Sequence, residues 1–249
     1  CSSEEETIPE ENLTTAARDS ENYSPWDFHD AHVFEGDEFQ ADNDGNGAHN
    51  WGEEDYEEQP EDNGFDVSEY IHLDGGDLIL QCPSNGVRAE YRNQADMDLN
   101  DLQFMDYSFT IENYDNEHEL IIAQVHNDGD AERPYLTISA EDGVIKLKQS
   151  QDYIKSSGTT TSNETIEFIE GDNYRIRITT EDDRAVMLRI RNESVGSNDE
   201  NYQAKEIFEF ENDWDSQDGN FYFKFGAYMP DGGSDNTRLR VTRANIINN

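Results

Sequence analysis

Phe221-Tyr222-Phe223-Lys224-Phe225-Gly226-Ala227-Tyr228 separates into two sets when every second residue is taken. Phe221, Phe223, Phe225 and Ala227 form an apolar set; Tyr222, Lys224, Gly226 and Tyr228 lie between them. Successive side chains of a strand point to opposite faces, so this period of two predicts a strand with one buried face. A helix would spread the four apolar residues around its axis instead of gathering them on one stripe. The apolar set belongs to a core. The other set, with its two tyrosines and a lysine, belongs to an outer surface.

Two earlier segments read the same way. In residues 87–92, Val87, Ala89 and Tyr91 are core-like, and Arg88, Glu90 and Arg92 oppose them. In residues 121–126, Ile121, Ala123 and Val125 form the apolar set, and the opposite set ends in Gln124 and His126. Short alternating runs also occupy 77–81, 107–112, 119–126, 135–139, 144–148, 165–169, 174–179, 186–191 and 237–241, set apart by Gly, Asn and Asp clusters. Strands at this spacing predict an all-β chain, a two-sheet antiparallel β-sandwich of jelly-roll type. Helix is confined to one short turn near 98–103.

The chain has 249 residues, enough for one sizeable all-β domain. Its charge is unevenly spread. Residues 1–87 hold 25 of the 58 acids and one of the 17 bases, Arg18. A net charge of −41 argues against nucleic acid as a partner, because binding phosphates needs a basic footprint. It reads first as a heavily solvated surface whose self-repulsion is softened by salt.

Against that acidity the polar strand faces stand out, since a solvated face drawn from this composition would be mostly Asp and Glu. Lys146/Lys148, Arg175/Arg177, Arg189/Arg191 and Arg238/Arg240 also alternate with apolar neighbours. If several of these strands share a sheet, that sheet presents a locally cationic face suited to a polyanionic chain.

Residues 1–22 are polar and acidic without periodicity and read as a flexible tether. Residues 23–249 are expected to form a single domain, in which 23–66 are an acidic, loop-rich strap ordered by aromatics such as Trp26, Trp51 and Phe65. Two cysteines, Cys1 and Cys82, make no disulfide framework, and Cys82 reads as a buried thiol. No apolar run is long enough to span a membrane as a helix. The opening Cys1, followed by Ser2, Ser3 and three glutamates, resembles the mature start of a bacterial lipoprotein. A secreted or outer-membrane, cell-surface location follows, with membrane contact only through a lipid on Cys1, and a monomer is expected.

Arg88-Ala89-Glu90-Tyr91-Arg92 resembles the Arg-(Ser/Thr)-Glu-(Leu/Val)-Arg motif of polysaccharide lyase family 7, the alginate lyases. Gln124-Val125-His126 matches that family's Gln-(Ile/Val)-His, and Tyr222 to Tyr228 resembles its Tyr-Phe-Lys-Ala-Gly-(Val/Ile)-Tyr. The three occur in family order, each on a segment with strand alternation, and the resemblance covers roughly residues 65–249. It implies a jelly-roll enzyme with a concave substrate groove that cuts alginate by β-elimination. Arg88 and Gln124 would neutralise the uronate carboxylate, and His126 and Tyr228 would serve as base and acid. Glu90, Arg92, Tyr222 and Lys224 would line the substrate. Tyr228 would take both proton-transfer roles on mannuronate, with His126 serving for guluronate.

The chemistry needs these residue types. A proton at C5 is barely acidic while the adjacent carboxylate carries full charge, so donors must stabilise the dianion as it forms. A neutral imidazole is available as base near pH 7, and a phenol can protonate the leaving O4. No cofactor is required. The motifs depart from the family at Ala89, Phe225, Met229-Pro230 and Asn93. These departures leave room for another polyuronate, such as glucuronan. A non-catalytic carbohydrate-binding jelly roll is the reading from a different class.

One further segment, 42–53, fits a calcium-loop pattern, with Asp42, Asp44, Asn46 and Glu53 as side-chain oxygen ligands and Gly47 at the turn. A structural calcium is therefore an expectation, though no flanking helices are apparent.

Overall fold

The computed structural model describes residues 38–43, 48–52, 70–82, 86–92, 103–114, 116–127, 134–150, 158–180, 185–209, 221–230 and 236–247. Among these there are sixteen strands and no helix. In chain order they are β1 (Glu38–Asn43), β2 (Ala48–Gly52), β3 (Ile71–Asp74), β4 (Asp77–Gln81), β5 (Gly86–Arg92), β6 (Gln103–Glu112), β7 (Leu120–Asn127) and β8 (Leu136–Glu141). They continue as β9 (Val144–Ser150), β10 (Thr159–Thr161), β11 (Ile166–Glu167), β12 (Asn173–Thr180), β13 (Ala185–Asn192), β14 (Gln203–Glu209), β15 (Phe221–Tyr228) and β16 (Arg238–Ile247).

The strands form two antiparallel sheets. The first runs β10-β9-β8-β7-β15-β5-β1-β2, with β11 also on β9; the second runs β14-β13-β12-β6-β16-β4-β3. Successive strands change sheet, β4 to β5 to β6 to β7, and this crossing makes the sandwich a jelly roll. The last two strands fill the centres: β15 enters between β5 and β7, and β16 between β4 and β6. The middle of the first sheet is therefore complete only when the C-terminal part of the chain has been added.

The inner faces of both sheets make one core, to which β15 gives Phe221, Phe223, Phe225 and Ala227. Phe225 packs 4.9 Å (ring centroids) from both Tyr91 on β5 and Tyr107 on β6, and Tyr107 stacks on Phe109. The Tyr107 hydroxyl donates to the Ile122 carbonyl at 2.6 Å, satisfying its polar end inside the core. Cys82 is buried, and desolvation pushes its thiol up to about 12.

Strands not anticipated from alternation are β1, β2, β3, β10 and β14. β14 is an edge strand whose outward positions carry Gln203, Lys205 and Ile207, so its pattern is mixed. β1 and β2 form a hairpin inside the segment expected to be a loop-rich strap. The expected strand at 165–169 shrinks to β11. Cys1, residues 1–22, Asn93 and residues 98–102 of the expected turn lie outside the described residues, and Gln103 opens β6.

Candidate active site

Arg88, Glu90 and Arg92 project from β5; Tyr222, Lys224 and Tyr228 from β15; Gln124 and His126 from β7. These three strands are adjacent in the first sheet, and the register sets the residues side by side. Arg92 faces Lys224, Glu90 faces Gly226, and Arg88 faces Tyr228 across the β5–β15 ladder. On the other side of β15, Tyr222 faces His126 and Lys224 faces Gln124. Residues opposite one another in a ladder share a face, so all eight lie on the side turned away from the core.

A bulge adjusts the alternation. Phe225 pairs with Ala123 but Tyr228 with Ile121, so β15 carries one more residue than β7 over this stretch. β7 in turn carries one more residue than β8 between Ile121 and Ala123, so Ile122 turns into the core beside Ala123, and Ile121, 7% exposed, pairs with Tyr228. The alternation read from sequence had placed Ile121 on the same side as Ala123.

Gly226 makes the close β5–β15 approach possible. A Cβ built there would lie 2.3 Å from the Ala89 carbonyl oxygen and 2.6 Å from the Glu90 Cα, both backbone atoms, and its φ of 154° is rare for other residues.

Glu90 is the centre of the floor. It is 1% exposed and accepts from Gln124 Nε2 at 2.5 Å and from Lys224 Nζ at 2.6 Å, with Arg88 Nη1 3.5 Å away. Burial by itself would raise this carboxyl's pKa. The charges of Lys224 and Arg88, with hydrogen bonds from Lys224 and Gln124, outweigh it and hold Glu90 below the ordinary carboxylate range. Burial lowers the pKa of Lys224, which is 3% exposed, against the opposing pull of Glu90. Both were expected to line the substrate, and they form the floor beneath the more exposed Arg88, Arg92, His126 and Tyr228. They hold the side chains above.

Those upper side chains form two cation–aromatic contacts. The Arg88 guanidinium lies 4.2 Å from the Tyr228 ring centroid, and that of Arg92 lies 4.1 Å from the ring of Tyr222. His126 stacks on Tyr222 with centroids 5.4 Å apart and planes 15° from parallel. Arg88 and Arg92, His126 and Tyr228 are partly exposed, while Gln124 is 3% and Tyr222 7% exposed.

The register also carries the row further than sequence could show. Gln124 pairs with Thr137, and Thr137 with Lys148, so Lys148 lies in line with Gln124 and Arg92 across the sheet. Lys148 and Lys146 are matched by acids, Glu119 at 2.6 Å and Glu141 at 2.5 Å respectively. By contrast, Arg175/Arg177, Arg189/Arg191 and Arg238/Arg240 lie on β12, β13 and β16 of the second sheet. One basic pair lies on the first sheet and three share the second, a division that alternation cannot show because it assigns a face but not a sheet.

The departures from the family motifs fall mostly inward. Ala89, Phe225 and Met229 are all fully buried core residues. They alter packing under the floor, not the outer face.

Asp42 lies on β1, paired with Ala48 of β2 and Arg88 of β5. Residues 42–43 and 48–52 are thus in paired strands, and Asp44, Asn46 and Glu53, three of the four expected calcium ligands, lie outside the described residues. Among the described residues no group of three or more His, Cys, Asp or Glu side chains is arranged to hold a metal.

A family model described as "Alginate lyase" matches residues 56–247. The chain belongs to the alginate lyase family. Solved structures of alginate lyases share its fold. One from Pseudomonas aeruginosa is 15% identical with a TM-score of 0.64, covering 85% of this chain and 98% of its own. Alginate lyase A1-II′, a member of polysaccharide lyase family 7, is 16% identical with a TM-score of 0.60, covering 84% and 94% respectively. Alginate lyase AlyC3 is 13% identical with a TM-score of 0.61, covering 87% and 91%. A search of curated proteins found no match. Membership of the alginate lyase family makes this protein a polysaccharide lyase, and the β1–β2 hairpin precedes the region that the family model covers.

Proposed function

We propose that this lyase cleaves alginate by β-elimination on the outer face of the first sheet, with Arg88, Gln124, His126 and Tyr228 as the reacting group. The observation that carries the reading is their convergence. A guanidinium, an amide, an imidazole and a phenol come from three adjacent strands onto one face, with Arg88 against Tyr228.

A uronate carboxylate set against Arg88 and Gln124 would receive charge-assisted hydrogen bonds that strengthen as the C5 proton leaves. Gln124 spends one N–H on Glu90, which orients the amide and leaves its second N–H for the sugar. Tyr228, with the Arg88 guanidinium over its ring, is placed to take the C5 proton and to return one to O4. His126 stands on the far side of Lys224 from Glu90, held by its stack on Tyr222, and is the base for sugars whose C5 proton lies on the opposite face. Arg92 and Tyr222 would contact the neighbouring sugars. Carboxylate neutralisation and proton transfer are then carried by side chains of this chain.

Incubation with alginate, polymannuronate, polyguluronate and glucuronan tests this. Elimination forms an unsaturated uronate with a new ultraviolet absorbance, whereas hydrolysis and simple binding do not. Absorbance growth on the alginate polymers is expected. Growth on glucuronan alone would move the substrate, and none on any polymer would remove the assignment.

A further inference from the structure

The second sheet carries a feature that the proposed lyase chemistry does not use. Its outer face holds two register rows. In one, Arg243, Ser108, Arg175, Arg191 and Gln203 are successive ladder partners across β16, β6, β12, β13 and β14. In the other, Asp106, Arg177, Arg189 and Lys205 are successive partners across β6 to β14. Tyr174, Ile176, Ile178, Leu188 and Ile190, which alternate with these arginines, are buried in the core, so the arginines point outward. Six of the chain's 17 bases thus occupy one block in a protein with 58 acids.

Few acids answer them. Asp106, 1% exposed, receives Nε and Nη2 of Arg175 at 2.7 and 2.6 Å, and Nε and Nη2 of Arg177 at 3.1 and 2.6 Å. Glu193 lies 3.9 Å from Arg175. Among the described residues no carboxylate forms an ion pair with the side chain of Arg189, Arg191, Lys205 or Arg243, and the Glu164 carboxylate beside Lys205 accepts its backbone N–H instead, at 2.5 Å. Asp106 fixes two guanidiniums by one edge each, so less side-chain freedom is lost when a ligand meets the other edge. Apolar surface flanks the block: Ile207 is 56% exposed, and the Tyr202 ring lies 5.2 Å from the Arg191 guanidinium.

We propose that this block is a second, non-catalytic binding surface for the carboxylates of an acidic polysaccharide chain. Neighbouring strands are about 4.8 Å apart, so rows of guanidiniums crossing them present repeated sites to a linear polymer with one carboxylate per unit. Exposed Ile207 and the ring of Tyr202 suit the apolar faces of sugar rings better than a bare inorganic anion. Screening confines the repulsion from the rest of the surface to about 8 Å at physiological salt, so the local excess of positive charge decides the approach. The inference rests on the proposed function only for the class of polymer.

The test is affinity electrophoresis of the full chain in gels with and without polymannuronate, using Tyr228→Phe as parent so that the matrix is not consumed. Arg189→Gln/Lys205→Gln/Arg243→Gln in that parent removes three charges against a net of −41. The expected result is roughly tenfold weaker retardation by the polymer, from the loss of two exposed contacts and one half-buried one. In the Tyr228-containing protein the same three changes should leave kcat and KM on a short oligouronate unchanged. Lys205→Gln/Arg243→Gln, confined to two exposed side chains, repeats the comparison if the triple variant folds poorly. Equal retardation of parent and variants, or equal retardation by a neutral glucan, overturns the proposal. Absence of elimination product from every polyuronate, with the retardation difference intact, would instead sink the lyase reading and leave this surface standing.

Discussion

Lys224 and Glu90, 134 residues apart in the chain, meet at 2.6 Å beneath the outer face of the first sheet, 3% and 1% exposed. The same carboxylate takes the Gln124 amide and lies beside Arg88, so one buried pair sets the position of both proposed carboxylate-binding groups.

Glu90→Gln and Lys224→Met should each destabilise the fold by about 3–5 kcal/mol, because each leaves a buried charge without its partner. The double change should recover part of that loss. Urea titration of the four proteins checks it; additive losses would mean that the pair does not act as a unit.

Tyr228→Phe removes one oxygen and keeps the ring under Arg88. Turnover should fall by about 10²–10⁴-fold, as for loss of a proton-transfer group, with oligouronate binding retained. Initial rates and equilibrium binding on one preparation measure both. Near-normal turnover would take Tyr228 out of its role.

His126→Asn should slow polyguluronate cleavage more than polymannuronate cleavage, since the two sugars present the C5 proton on opposite sides. The ratio of kcat/KM on the two polymers is the readout. A ratio unchanged from the parent would place His126 outside proton transfer.

Gly226→Ala puts a methyl group where backbone atoms of Ala89 and Glu90 already stand. Destabilisation of about 1–3 kcal/mol is expected, together with a loss of activity, since shifting β15 against β5 separates Tyr228 from Arg88. Thermal unfolding and turnover should fall together.

Acid should unfold the protein through its buried carboxylates. Burial opposes ionisation of both Glu90 and Asp106, but Lys224 and Arg88 in one case, and Arg175 and Arg177 in the other, hold their pKa values below normal. A depressed folded pKa gives stability that is complete above the unfolded value, about 4, and is lost as pH falls through the folded value. Melting temperature should stay level from neutral pH to about pH 5 and drop below it. Asp106→Asn should lower the neutral value and flatten the acid limb. An unaltered acid limb would exclude Asp106 as a contributor.

Much of this was legible in the chain because alternation is a local property. The FYFKFGAY pattern assigned every side chain of β15 to its side, and 77–81 was read with its observed ends. Misreadings arose where a second segment intervened. Ile121 changes side relative to Ala123 because the register of β7 shifts against both β15 and β8, and β14 escaped notice because an edge strand need not alternate cleanly. Phe225 and Met229 read as departures close to the chemistry, yet their neighbours are core residues.

By itself the sequence determined which residues face outward on each strand, and the motif order that points to a uronate lyase. Only the tertiary structure decided that β5, β15 and β7 are neighbours, that Glu90 is buried under Lys224 and Gln124, and that six bases gather on the opposite sheet. Side-chain direction follows from the backbone of one strand, whereas sheet membership and register come from hydrogen-bonding partners contributed by segments far away in the chain.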